Sequence, residues 1–272
     1  MKTLKQQIIE KLSEIGYLSD KYAEDSIRNA ILKEPNLLAY DVLSYLIENI
    51  DIAKEKNFPL CQDTGNVVFW VKMPPGVNIN FETLLNEAVV EAFNINNYRK
   101  SIVKDPVNRK NTNNNTPSII HYEIKDTDSI EISMMLKGGG SENMSALKML
   151  TPGDGIQGIR KFVIDTIINN AVNACPPLTV GIGIGGNFET CALLAKKSLF
   201  RLHGEKNPDD YWAKEEEFLL NEINQLRIGS MGFGGNLTAI NVNIEVKPCH
   251  IASLPVAVNL ECHAHRVAKV VY

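Results

Sequence analysis

The sequence predicts an α+β fold in one mixed domain over residues 1–272, and three observations carry that prediction. Apolar residues recur at helical spacing near the N-terminus and again after residue 80. Short β-type runs lie between clusters of Gly, Pro and Asn. Glycine runs stand where these two patterns meet, and no linker rich in Pro, Gly or Ser cuts the chain.

Residues 1 to about 57 read as a helical subdomain. Leu4, Ile8, Leu12 and Ile15 share one face, and Leu43, Leu46, Ile47 and Ile50 share another. Asn66 to Lys72 is a β-type run that ends at Pro74-Pro75-Gly76. Phe81, Leu84, Leu85, Ala88, Val89, Ala92 and Phe93 form the apolar stripe of a helix. The segment from Asn108 to Pro117 is a polar, asparagine-rich loop, and β-type stretches follow near Ser118–Ile124 and Ile130–Leu136. Lys137-Gly138-Gly139-Gly140-Ser141 leads into a predicted helix reaching about Leu150, and a longer helix covers Gln157 to Asn170. Leu178 to Ile184 reads as a strand, Glu189–Leu202 and Pro208–Arg227 as helices, and Leu237 to Val246 as an alternating strand. No internal repeat is visible in the sequence.

Composition narrows the function classes. With 44% hydrophobic and 22% charged residues the chain is of globular type, long enough for an ample core. Its net charge of −4 supplies no positive field for nucleic acid or anionic lipid. The N-terminus lacks a signal peptide's apolar centre, and no apolar run has the length of a membrane span. Five scattered cysteines do not suit a disulfide framework, so the expected setting is the reducing cytoplasm.

Three of those cysteines sit in segments that read as a site. Cys61 precedes the polar turn Gln62-Asp63-Thr64-Gly65, Cys175 precedes Pro176-Pro177, and Cys262 begins Cys-His-Ala-His-Arg. Cys191 lies in an apolar run and reads as core, whereas Cys249 adjoins His250 and has no assigned role. Three converging thiolates can hold an iron–sulfur cluster; such clusters normally take four, so one iron would keep an open, Lewis-acidic position. A closed zinc site of three cysteines and a histidine is the non-enzymatic alternative. Gly138-Gly139-Gly140 at a strand-to-helix junction suits a carboxylate, and Arg99 and Lys137 are candidate partners for one. His250 is a candidate for substrate binding or proton handling. Gly181-x-Gly183-x-Gly185-Gly186 lacks the spacing of a dinucleotide fingerprint.

Taken in order, Pro-Leu-Cys-Gln-Asp-Thr-Gly, Lys-Gly-Gly-Gly-Ser-Glu-Asn, Cys-Pro-Pro-Leu-Thr-Val-Gly-Ile-Gly-Ile-Gly-Gly, Met-Gly-Phe-Gly-Gly and the Pro-Cys-His…Cys-His-Ala-His-Arg tail resemble one family. The chain resembles the α subunit, or N-terminal domain, of iron–sulfur class I fumarases and L-tartrate dehydratases, from about residue 5 to its end. The resemblance implies a [4Fe-4S] cluster on Cys61, Cys175 and Cys262. It implies substrate contacts from Gln62, Gly139 and Arg99, with Arg109 a competitor for the last, and catalytic roles for Asp63 and His250. Single-chain members continue into a second domain, whereas this sequence stops at Val270-Val271-Tyr272, so a separate β subunit in an α2β2 assembly is expected. The implied reaction is reversible hydration of fumarate to L-malate, with dehydration of L-tartrate as the alternative.

Overall fold

Val67, Phe69 and Val71 alternate onto one buried face, which makes Asn66–Met73 (β1) the centre of a sheet rather than an exposed run. The computed structural model describes residues 2–272. By its internal contacts the chain divides into two compact units, each with its own four-stranded sheet and core.

The first unit comprises the chain up to Asp20, Asn49–Gly139 and Arg266–Tyr272. Its sheet has the order β2-β1-β3-β8, with β2 at Ile119–Ile124, β3 at Glu131–Lys137 and β8 at Val267–Val271. β1 and β2 are parallel because the helix Phe81–Ile95 (α4) crosses between them, whereas β3 is antiparallel to both β1 and β8. The helix Leu4–Tyr17 (α1) starts at a reciprocal capping box between Thr3 and Gln6. Its stripe of Leu4, Ile8 and Leu12 packs with Leu85, Val89 and Phe93 of α4 over Phe69, Ile132 and Met134 of the sheet.

The second unit comprises Lys21–Glu48 and Gly140–His265. It contains the helix Lys21–Ile31 (α2) and the first part of Leu37–Lys56 (α3), which continues into the first unit. The helical reading of residues 1–57 therefore holds at the level of elements, and those elements are shared between the two units. The second sheet has the order β4-β7-β5-β6, built from Ala146–Leu150, Leu254–Glu261, Leu178–Gly186 and Ala239–Cys249. Helices Gly155–Asn170 (α6), Phe188–Ser198 (α7) and Asp210–Gln225 (α8) accompany it, and α7 and α8 form the crossover between the parallel strands β5 and β6. The two sheets share a connectivity. In each, a strand, its crossover and a parallel strand are followed by an antiparallel strand on the other side of the first.

One expectation about elements changes. The helix predicted to reach Leu150 is only Gly139–Asn143 (α5), and Ala146–Leu150 is instead a strand paired antiparallel with β7. Ala, Leu, Lys and Met all favour helix, but pairing with a central strand overrides local preference. The tail, in which the sequence suggests no element, forms two further strands, β7 and β8. Gly181 and Gly183 lie inside β5 directly under α7, where a Cβ would come within 2.4 Å of the Ala195 carbonyl oxygen and 2.0 Å of the Cys191 one. The run is thus a seat for close helix–sheet packing and not a nucleotide loop. Among the described residues no helix is long and apolar enough to cross a membrane.

Candidate active site

In the first unit, Cys61 and Asp63 occupy one tight turn leading into β1. The Asp63 backbone N–H points at Cys61 Sγ at 3.4 Å, a donor that complements the charge of a metal-bound thiolate. Asp63 Oδ1 accepts the Gly65 N–H at 3.0 Å, and Oδ2 accepts the Gly139 N–H at 2.7 Å. The carboxylate is therefore fixed between the turn and the start of the glycine run, with about two of its four acceptor sites left over. Gly65 has φ +75°, and a Cβ there would lie 2.4 Å from the Lys137 carbonyl oxygen, so only glycine permits this approach.

A cavity of about 530 Å³ opens beside the turn, lined by Gln62, Asp63, Arg99, Lys100, Arg109 and Gly139 among others. The structure thus brings the adjacent Gln62 and Asp63 together with Arg99 and Gly139, which the sequence places far from them and from each other. Arg109 lines the same cavity, so the two arginines stand as neighbours on one site rather than as exclusive alternatives. Arg99, Lys100 and Arg109 outnumber the one carboxylate, Asp63, on the lining, so the wall is net cationic and suited to carboxylates. The Gly139 N–H, expected to face a substrate, is directed to Asp63. Lys137 is 2% exposed, with Nζ 3.4 Å from the Gly138 carbonyl oxygen, and so is not a cavity-lining cation.

Sequence reasoning passed over Arg266. It is 1% exposed, and among the described residues its Nε and Nη1 have no hydrogen-bond partner. A Cβ on Gly138 would sit 3.4 Å from Asp63 Oδ2 and 3.6 Å from Arg266 Nη2, so carboxylate and guanidinium flank the same turn. The arginine directly after a Cys-His-Ala-His segment was the available signal.

In the second unit, Cys175 and the residues after Cys262 are adjacent. Cys175 is exposed, in the left-handed conformation (φ 58°), just after the short 3-10 helix Ala171–Ala174. Its carbonyl accepts the His263 N–H at 3.3 Å, and Cys262 is half-buried at the end of β7. His250 stands elsewhere in the same unit. The register pairs Thr179 with Glu261 at one end of the sheet and Gly186 with Cys249 at the other. β5 is nine residues long, so at ~3.3 Å per residue His250 is on the order of 25 Å from Cys175 and Cys262. It occupies the exposed β6–β7 turn, where Nδ1 accepts the Ala252 N–H at 3.1 Å. Cys249, with Sγ 3.3 Å from the Ser253 carbonyl oxygen, belongs to that distant turn.

Cys191 is fully buried on α7 beside Ala195 and Ala257. Burial pushes its thiol pKa up. In the metal-free native chain at pH 8, a charged alkylating reagent is expected to label Cys175 and Cys249 and to spare Cys191. Mass mapping that found Cys191 labelled before unfolding would contradict the packing of α7. Among the described residues, neither unit by itself gathers three His, Cys, Asp or Glu side chains into a metal-holding group.

Residues 5–271 match the family described as fumarate hydratase (Fumerase). A protein of Methanocaldococcus jannaschii named "Putative L(+)-tartrate dehydratase subunit alpha" is 41% identical over 96% of this chain and 94% of its own length. The protein named L(+)-tartrate dehydratase subunit alpha in Escherichia coli K12 is 34% identical over 96% of this chain and 91% of its own length. A Shigella boydii protein of the same name is equally similar. The motifs, their order and these relatives agree, and the chain belongs to the fumarate hydratase (Fumerase) family of hydro-lyases.

Proposed function

We propose that this chain is the α subunit of an iron–sulfur hydro-lyase that dehydrates L(+)-tartrate and that works only with a separate β subunit. The observation that carries the reading is the cationic cavity on which Gln62, Asp63, Arg99 and Gly139 converge beside Cys61. The choice of tartrate follows the names of relatives at 41% and 34% identity. Reversible hydration of fumarate to L-malate is the second reading, favoured by the family description alone.

Cys61, Cys175 and Cys262 are the proposed cluster ligands. None of the three is in a disulfide, and all lie at turns with their residues exposed or half-buried, whereas Cys191 is sealed in the core and Cys249 sits at the far end of its sheet. Soft thiolate donors with a backbone N–H aimed at one sulfur fit a [4Fe-4S] cluster. When bound, such a cluster with three protein ligands supplies one open Lewis-acidic iron. The chain's own residues then divide the remaining work. Arg99 and Arg109 bind a carboxylate, and Gln62 supplies an amide for a hydroxyl or carboxylate oxygen. Asp63, held by Gly65 and Gly139, orients or relays the proton removed next to the departing hydroxyl.

The test is a comparison of kcat/KM for L(+)-tartrate and L-malate, with the α chain produced anaerobically together with its β partner. Tartrate is expected to be preferred by roughly tenfold or more, because a site that hydrogen-bonds a hydroxyl discriminates against its absence. A preference for malate or fumarate would replace the first reading by the second. No turnover of either by the cluster-loaded complex would remove both.

A further inference from the structure

We propose that Asn115 is a positioning residue that sets the cavity's geometry by holding the main chain beside Arg99 against the Cys61–Gly65 turn. The inference rests on the reading of Arg99 as a substrate-carboxylate ligand.

Asn115 is fully buried although it belongs to the asparagine-rich loop, and it takes the left-handed conformation (φ 59°). A buried amide must place both its donor and its acceptor. Asn115 Oδ1 accepts the Ser101 N–H at 2.8 Å, and Nδ2 donates to the Gly65 carbonyl at 3.2 Å. One side chain thus bridges the segment after Arg99 and the turn that carries Cys61, Gln62 and Asp63. Neighbouring bonds point the same way. Thr64 Oγ1 donates to the Arg99 carbonyl at 2.6 Å, and Asn111 Nδ2 donates to the Lys100 carbonyl at 2.8 Å. The loop is also stitched to residues 102–104 by Thr112 N–H to the Ile102 carbonyl and Lys104 N–H to the Lys110 carbonyl. Arg99 itself is exposed, so this clamped backbone fixes where its side chain starts, while packing does little to hold it. Thr64 and Asn115 are both buried, and of the two only Asn115 joins both segments from a third stretch of chain through one rigid group.

The experiment is a double-mutant cycle on the α–β complex, with N115A measured in the wild-type and R99M backgrounds. Iron and sulfide content is measured in each variant to show that the cluster is retained. N115A is expected to raise KM for the dicarboxylate roughly tenfold beside Arg99 and less than about twofold beside R99M, since the residue acts through Arg99. Equal increases in both backgrounds would overturn the proposal while leaving Arg99 as a ligand. An R99M variant with unchanged KM would overturn the proposal together with the reading beneath it. If N115A does not fold, N115D serves in the same cycle. It preserves the volume and the bond to Ser101 while placing an acceptor against the Gly65 carbonyl, and the same pattern of coupling is expected.

Discussion

A Gly183→Ala chain is expected to melt well below the wild type. The single added carbon would lie 2.0 Å from the Cys191 carbonyl oxygen and 2.5 Å from the Ala195 nitrogen, both backbone atoms of α7. A flexible side chain could move aside; a helix backbone cannot do so without lifting α7 off β5, β6 and β7. β5 is buried along nearly its whole length and pairs on both edges, so it has no room to yield either. Overpacking of a well-formed core costs ~1–3 kcal/mol, and a backbone obstruction belongs at or above the upper end. At ~3 kcal/mol the melting temperature of a domain of this size falls by roughly 10 °C. Thermal denaturation of the metal-free chain checks this directly. A melting temperature within a degree or two of wild type would mean that α7 does not rest on β5 as described.

Cys61→Ser is expected to have the largest effect on chemistry with little effect on the fold. Serine keeps the size of the side chain and can still accept the Asp63 N–H, but its oxygen is a poor substitute for a soft thiolate on iron. Cys61 is half-buried in a turn and absent from the hydrophobic core, so the variant should melt close to wild type. Turnover by the reconstituted α–β complex should drop to about 1% or below, together with loss of the cluster. Cys249→Ser provides the contrast, because its sulfur sits in the turn at the far end of the second sheet. It should retain cluster and activity. Full activity in Cys61→Ser would remove that residue from the ligand set.

Much of the architecture was legible because local signals were strong. Leu178–Gly186 is an apolar run bounded by Pro176-Pro177 and Asn187, and the α1 and α4 stripes have the helical period. Ala146–Leu150 was not legible, since nothing local says that a helix-favouring segment will pair with β7. The candidate site divides in the same way. Cys61, Gln62 and Asp63 are contiguous, and their polar turn can be read in one glance along the sequence. The arrival of Arg99, Arg109 and Gly139 at the same cavity depends on non-local bonds such as Thr64 to Arg99 and Asp63 to Gly139. His250 shows the same dependence on non-local structure. It is only twelve residues from Cys262, yet β7 runs the full length of the sheet between them and carries the two to opposite ends. Asn115 was hidden by its surroundings, because a fully buried amide inside a polar loop has no signature in composition.

The most direct measurement is iron and acid-labile sulfide on the α chain purified and reconstituted without oxygen. The account predicts about four of each per chain, as a cubane cluster requires. Zinc without sulfide, or no bound metal, would contradict it and reduce Cys61, Cys175 and Cys262 to structural thiols.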